Sequence, residues 1–502
     1  MVEKRRFTPV LSASAGAAVS YYCAGLFGWG GRIVLAAFFT GCVLFFRVLA
    51  EAPSFFYYEK DRRNRTFKRV HSLLLAFSAG LCIGTGAGAS MPQGPFPGLR
   101  EETVAAVSGR LAEDPRATAG GRGLGLLDLA YAVDRAGVKA GARGELPVYF
   151  PEESLPGIKE FGRGCVVYVE GSFAADAAGR PYFRAGSVHV VKAAPPLETW
   201  RTGVRKKLTE RAGASQGGWG GLSLALLLGI KDNLDSTLAS SYRDAGCSHV
   251  LALSGMHLAI ISAVVVFLLK KPLGVKAAAV SGALFVLAYV FIVGPQPSLG
   301  RAAIMYLLGT LAVLGNFHRN PLNLLGMSFL IQIAVYPGSG TSVSFILSYL
   351  ALFGILLIGE SLHELGRGKI PEILLGPLSA SIGAFIAAAP VTVYWFGVLR
   401  PAGILAGLLV VPLATAFMAG SLAFLALGFI SPVLGEALVP LLSGLYRAQD
   451  MVVRTAAAVP GMAAPDPLPV LAAALAFTLF LLYFEFRIKR RWNRITPPVL
   501  PA

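Results

Sequence analysis

Charge is scarce in this chain of 502 residues: Asp, Glu, Lys and Arg make up 15% of it, against 55% hydrophobic residues. So low a charged fraction excludes a disordered, solvating chain, and it does not suit the several soluble domains that such a length would otherwise hold. Cysteine is scarcer still. The five cysteines, Cys23, Cys42, Cys82, Cys165 and Cys247, form no Cys-x-x-Cys pair and no zinc-ligand spacing, which excludes a thioredoxin-type motif and a zinc ribbon. Cys23, Cys42 and Cys82 lie in apolar runs, whereas Cys165 and Cys247 are expected on the outer side, where a disulfide between them stays open. The six histidines, His71, His189, His249, His257, His318 and His363, include no pair two residues apart. A His-x-His-x-Asp-His cluster, which would hold metal and activate water, is therefore excluded, and no metal or other cofactor is expected. No Gly-x-x-x-x-Gly-Lys-Ser/Thr segment occurs either, so the sequence offers no recognisable ATPase.

What the chain has instead is long apolar runs, near 9–28, 31–50, 71–90, 249–269, 277–294, 300–316, 322–337, 343–360, 376–398, 402–430 and 467–486. A hydrocarbon core of ~30 Å takes about 20 residues as a helix, so these runs predict roughly ten transmembrane or re-entrant helices. The run 402–430 is long and 322–337 short, and either accommodates a broken or re-entrant helix. The topology of 402–466 stays open, with 431–455 read as a re-entrant or surface helix. The first helix is expected to remain uncleaved despite its basic start. The net charge of +17 would suit a nucleic-acid ligand, but its distribution follows topology. Seven basic residues against three acidic ones crowd 47–69, and RIKRRWNR closes the last span at 487–494. Both segments, and with them both termini, are placed in the cytoplasm.

Only 98–196 loses hydrophobicity over a domain-sized length. Short β-rich stretches such as LPVYF, GCVVYVEGSF and YFRAGSVHVVKA, broken by Gly and Pro, predict a small all-β domain on the extracytoplasmic side. It carries twelve basic and twelve acidic residues, so it is no electrostatic magnet for DNA. After it, 197–218 places Leu197, Trp200, Val204 and Leu208 on one face with charges between, an amphipathic pattern that suits a helix lying in the membrane interface or a linker docking the β domain.

Strongly polar groups then appear inside apolar surroundings: Lys231, Asp232, Arg243, His249, Ser254, His257, Arg301, Asn323, Ser344 and Ser348. Such groups face a bundle interior or a water-filled path. In GCSHVLALSGMHLAIIS, residues 246–262, a continuous helix would put Ser254 and His257 on one face and His249 two turns away, about 80° round. Three readings fit: helix–helix hydrogen bonding, an activated serine, or a path for a polar solute. The last two correspond to an intramembrane serine hydrolase and to a channel or small-solute transporter.

The segment ALLLGIKDNLDSTLASSYRDAGCSHVLALSGMHLAII resembles the signature of the ComEC competence proteins through Gly229, Asp232, Leu234, Tyr242, Arg243, Gly246, His249, Leu251, Ala252, Ser254, Gly255 and His257. Later segments are similar to the family in the same order: Pro297, Ser298, Arg301 and Ala302; Pro321 and Asn323, with Asn320 in an acidic position; Phe345, Leu347 and Ser348; then Pro390, Phe396, Gly397 and Pro412. Ser344 and Ile346 depart from the family's Gly and Gln, which leaves the polar role of that Gln without a residue here.

The resemblance implies a polytopic α-helical protein of the cytoplasmic membrane with an OB-like extracytoplasmic domain, acting as a channel for single-stranded DNA in natural transformation. The implied parts are N-terminal spans with a basic cytoplasmic loop over 1–97, the OB-like domain over 98–196, the amphipathic helix over 197–218, a channel core over 219–490 and a cytoplasmic tail over 491–502. Asp232, Arg243, His249, Ser254, Gly255, His257, Ser298, Arg301, Asn323 and Ser348 are the expected path-lining residues, and Tyr168, Phe173, Tyr182 and Phe183 the expected base-stacking ones. The family's metallo-β-lactamase-like domain is not expected here, so neither is nuclease activity. A DNA receptor, a cytosolic helicase-type motor and a separate nuclease are the implied partners, beside the strand itself and the lipid bilayer.

Overall fold

The structure, a computed structural model, describes residues 9–22 and 103–477, apart from 118–121, 143, 152–161, 176–180, 214–217, 254, 295, 318–319, 465 and 475. Expected spans 31–50 and 71–90, and most of 467–486, lie outside the described residues.

The β-rich segment closes into a barrel. Its five main strands are β1 (Val104–Leu111), β2 (Gly123–Asp134), β3 (Glu145–Phe150), β4 (Val166–Ala175) and β5 (Pro181–Lys192). They pair in the cyclic order β1-β2-β3-β5-β4 and back to β1, with β3 and β5 parallel and the rest antiparallel. That order and the single parallel pair are those of an OB-type barrel. Alternation drives closure: along β3, Leu146, Val148 and Phe150 point inward and meet Val107, Leu111, Leu127, Val167, Val169 and Phe183 in one core. Curvature comes from irregular pairings at Ser108/Gly109 and Glu170/Gly171. A Cβ at either glycine would overlap a partner-strand carbonyl, Asp128 O or Arg184 O, so these bends require glycine.

Helix α1 (Pro9–Tyr22) packs Ala17 and Tyr21 against Leu325, Phe329 and Ile333 of the bundle. Beyond the barrel, α2 (Pro196–Gly213) leads to α3 (Trp219–Leu228), whose residues are all buried. Two short helices follow, α4 (Ser236–Asp244), capped by the Asp235 carboxylate on Thr237 N–H, and α5 (Ser248–Leu251). The long apolar elements are α6 (Gly255–Val293), α7 (Pro297–Leu314), α8 (Pro321–Val335), α9 (Val343–Gly354, continued through a π turn to Gly366), α10 (Glu372–Phe396) and α11 (Ala402–Ile430). Among the described residues, five helices are long and apolar enough to cross a membrane: α6, α7, α9 with its continuation, α10 and α11. Helix α8 is apolar but shorter, and amphipathic α12 (Val439–Ala457) folds back on α11.

Helix α6 is two antiparallel arms rather than one straight rod. Drawn straight, 39 residues would run about 58 Å, far beyond a hydrocarbon core. Pro272 and Gly274, the latter at φ +80°, break it, and a Cβ on Gly282 would lie 2.9 Å from Val266 Cγ2. Residues 16 apart touch only if the chain doubles back, so the two arms form an antiparallel hairpin about Gly274. The expected runs 249–269 and 277–294 are these arms, the first starting at Gly255. The run 402–430 is one unbroken helix, α11. Cys165 lies in the barrel core and Cys247 in the bundle core, both as free thiols, so the disulfide left open between them does not form.

Candidate functional site

Where the barrel meets the bundle, charge is concentrated and buried. Arg201 on α2 is 1% exposed. Its Nε donates to Phe291 O at 2.8 Å and Ile292 O at 3.1 Å, while its Nη atoms donate to Asp114 Oδ1 at 3.1 Å and Oδ2 at 2.7 Å. Arg205, one turn on, donates to Ile292 O at 3.0 Å and Val293 O at 2.8 Å. The final carbonyls of α6, left without intrahelical partners, thus receive two guanidinium groups at the negative end of the helix dipole. Asp114, beyond β1 in the barrel, completes the arrangement and also accepts Arg163 N–H at 2.9 Å. Arg163 reaches Glu198 on α2 at 2.5 Å. Burial works to raise the Asp114 pKa, but the hydrogen bond and charge of Arg201, then the charge of Arg205, outweigh it and hold this carboxyl below its ordinary value. Gly294, at φ +102°, lets the chain turn beside this cluster, since a Cβ there would lie 2.9 Å from Arg201 Nη2.

A second polar centre lies a few residues further along the chain, where the N-terminal ends of α6 and α7 cross. Ser298 Oγ donates to Leu253 O at 2.6 Å. Gly255 opens α6, and a Cβ on it would stand 3.1 Å from Ala302 Cβ and 3.3 Å from Arg301 Nη2. Arg301 is buried, lies over the Tyr349 ring at 5.8 Å from its centroid, and among the described residues has no hydrogen-bond partner for its Nε. The Tyr349 hydroxyl lies within donating reach of Gln332 Oε1 at 3.0 Å and Ser328 Oγ at 3.2 Å, and Gln332 Nε2 donates to Pro297 O at 3.0 Å. His257, on the first turn of α6, is wholly buried.

The structure therefore brings Gly255, His257, Ser298 and Arg301 to one end of α6 and α7, and puts half-buried Ser348 beside Tyr349 on α9. It separates the others. Asp232, Arg243 and His249 are exposed on the segment between α3 and α6. His249 belongs to α5, and extended backbone at Ala252 (φ −82°, ψ 129°) ends that helix before α6 starts, so His249 and His257 do not share the helix face expected of them. The Leu253 carbonyl freed by the break is the one that Ser298 takes. Ser254 lies outside the described residues. Asn323 is on the first turn of α8, nine residues or about 13 Å along the helix from Gln332.

Of the aromatic residues expected to stack on bases, Phe183 cannot serve: it is 0% exposed in the barrel core, with Phe173 edge-on to it at 5.2 Å. Tyr168 is half-buried on β4, and Tyr182 pairs edge-on with Tyr149 at 4.8 Å at the partly exposed parallel seam of β3 and β5. The residues that sequence reasoning missed are Arg201, Arg205 and Asp114. On the amphipathic pattern Leu197 and Trp200 define the packing face of α2, yet both are exposed, Trp200 at 58%, and Arg201 is the residue turned inward. The available signal was the spacing of Arg201, Arg205, Leu208 and Ala212, one face of a helix with its two cations four residues apart.

Comparison with known proteins follows this architecture. A family model described as "Competence protein" matches residues 226–491, from the end of α3 past the last described helix. The chain is similar to ComE operon protein 3 of Bacillus subtilis (strain 168), with 25% identity over 200 residues that cover 39% of this chain and 25% of that protein. It is also similar to a protein of Aquifex aeolicus (strain VF5) described as uncharacterized, with 29% identity over 197 residues covering 39% of this chain and 45% of that one. These matches thus span a quarter and under half of the two relatives, and no solved structure matches. With more than half of its length matched by the family model, the chain belongs to the competence protein family.

Proposed function

We propose that this protein forms the conduit by which one DNA strand crosses the cytoplasmic membrane during natural transformation. The observation that carries the proposal is the pairing of a competence-family helical core with an OB-type barrel pinned to it by Arg201 and Asp114, next to a polar crossing of α6 and α7. A single strand needs transient donors for its phosphates and flat apolar faces for its bases. Arg301, Ser298 and His257 supply the first kind of group in the bundle, with Arg243, His249, Asn323 and, beside Tyr349, Ser348 as further donors and Ser254 in the segment before α6; Asp232, a carboxylate, lines the path without donating to phosphate. Tyr149 and Tyr182 supply the second on the barrel.

Charge supports an orientation. The turn of the α6 hairpin carries Lys270, Lys271 and Lys276, at the end of the arms away from the barrel-facing Val293. Basic turns tend to stay in the cytoplasm, which supports an extracytoplasmic barrel. Pulling is assigned to a cytosolic helicase-type motor, delivery to a DNA receptor, and removal of the second strand to a separate nuclease. Deleting the gene and following labelled DNA tests the reading: label should still bind to the cell surface but stop reaching the cytoplasm, and a plasmid copy should restore it. Unchanged entry of label in the deletion strain would remove the proposal.

A further inference from the structure

We infer that Arg301 and the N-terminal turn of α6 together form one discrete binding step for a phosphate-bearing anion, an inference that rests on the conduit reading and narrows it to a single place. Among the described residues Arg301 is in no ion pair, it is 7% exposed, and its Nε is buried without an acceptor. In the barrel–bundle cluster, buried Arg201 and half-buried Arg205 have carboxylate or carbonyl oxygens to donate to; Arg301 has an aromatic ring below it and a helix start in front of it. A cation removed from water without a counter-charge is costly, and an anion offsets that cost when it arrives.

The second element of the step is the helix end itself. The first N–H groups of α6 lack intrahelical acceptors and carry the positive end of its dipole, the usual seat of an anion. Gly255 lets the two approach: a Cβ on it would stand 3.3 Å from Arg301 Nη2, so the guanidinium lies against the first turn of α6. Tyr349, Gln332 and Ser328 hold the guanidinium from behind through the hydrogen bonds that fix the phenol, so the fork does not have to be ordered when the anion binds. In the proposed step a non-bridging phosphate oxygen takes the Arg301 guanidinium and the first N–H groups of α6 as its donors. Exposed Arg243 and His249 belong to the approach and contribute screening rather than a site.

Phosphate oxygens occur both in a nucleic-acid backbone and in lipid headgroups, and the measurement separates them. The full chain is placed in nanodiscs of zwitterionic lipid, and binding of a short phosphodiester oligonucleotide is followed against salt concentration, beside the methylphosphonate oligonucleotide of the same sequence. The site predicts that Arg301→Gln weakens phosphodiester binding and makes its log–log salt slope shallower by about 0.7, the value for one lost contact on a single strand, while methylphosphonate binding does not change. Gly255→Ala, which keeps the charge and crowds the guanidinium, should weaken binding in the same direction and serves if Arg301→Gln fails to fold. Nanodiscs with anionic lipid that abolish oligonucleotide binding to the original chain but not to Arg301→Gln would assign the site to a headgroup and overturn the inference. Equal affinity and equal slope in the original chain and in whichever of the two variants folds would also overturn it. The conduit reading falls separately, if deleting the gene leaves DNA entry unchanged.

Discussion

At the scale of single residues, the arginine pair on α2 carries most of the stability argument. Arg201 satisfies carbonyls of α6 and the Asp114 carboxylate at once, so replacing it takes the side-chain donor from Phe291 O and the two-pronged guanidinium from Asp114, which keeps only Arg163 N–H and Arg205. Removing one partner of such a buried arrangement costs about 3–5 kcal/mol. Arg201→Gln should therefore lower the thermal midpoint of the purified chain and let a protease release the barrel from the bundle, whereas Lys206→Gln, on the exposed face, should do neither. The pH dependence has a definite sign. Asp114 is held below its ordinary value, so its contribution is complete above the unfolded-state value near 4 and is lost as pH falls through the lowered folded one. Barrel release should consequently appear only below about pH 4, and Asp114→Asn should show no such acid step. These residues were hidden from sequence reasoning because a charged helix face is ordinarily a solvated one. Arg301 was legible, since an arginine inside an apolar run is too costly to face lipid and so marks the bundle interior.

At the scale of elements, helices were read well wherever apolar character alone decides them. The run 402–430 coincides with α11, and 343–360 begins with α9. Failures arose where local hydrogen bonding overrides hydropathy. The segment 249–254 is as apolar as its surroundings, yet Ala252 is extended and Ser298 takes the Leu253 carbonyl, so no continuous helix joins His249 to His257. The barrel order was expected only through resemblance, because strand alternation shows which face is buried but not which strand is the neighbour. Close helix approach is a further element-scale feature: a Cβ on Gly354 of α9 would overlap Gly383 O of α10 and stand 2.6 Å from Ala387 Cβ. Gly354→Val should separate α9 from α10 and deplete folded protein from the membrane. Gly309→Ala, with nothing within 4 Å of the added methyl group, should leave the amount unchanged or slightly higher; membrane-fraction immunoblots of the two variants compare them directly.

For the whole molecule, the barrel, the polar crossing of α6 and α7, and the lysine turn of the hairpin follow one another along a single direction. A cysteine at Lys271 should react with a membrane-impermeant maleimide only after the cells are opened, and one at Arg184 on the barrel should react in intact cells; the reverse pattern would invert the orientation. In the proposed conduit a DNA strand runs past the barrel and through this bundle. That course is tested most directly by placing a photo-crosslinking amino acid at Tyr182 on the barrel, at Ser298 in the polar crossing and at Leu284 on the exposed outer side of α6, then irradiating cells during uptake of labelled DNA. DNA adducts are expected at Tyr182 and Ser298 and none at Leu284. Adducts absent from Ser298 while labelled DNA continues to enter the cytoplasm would contradict that course.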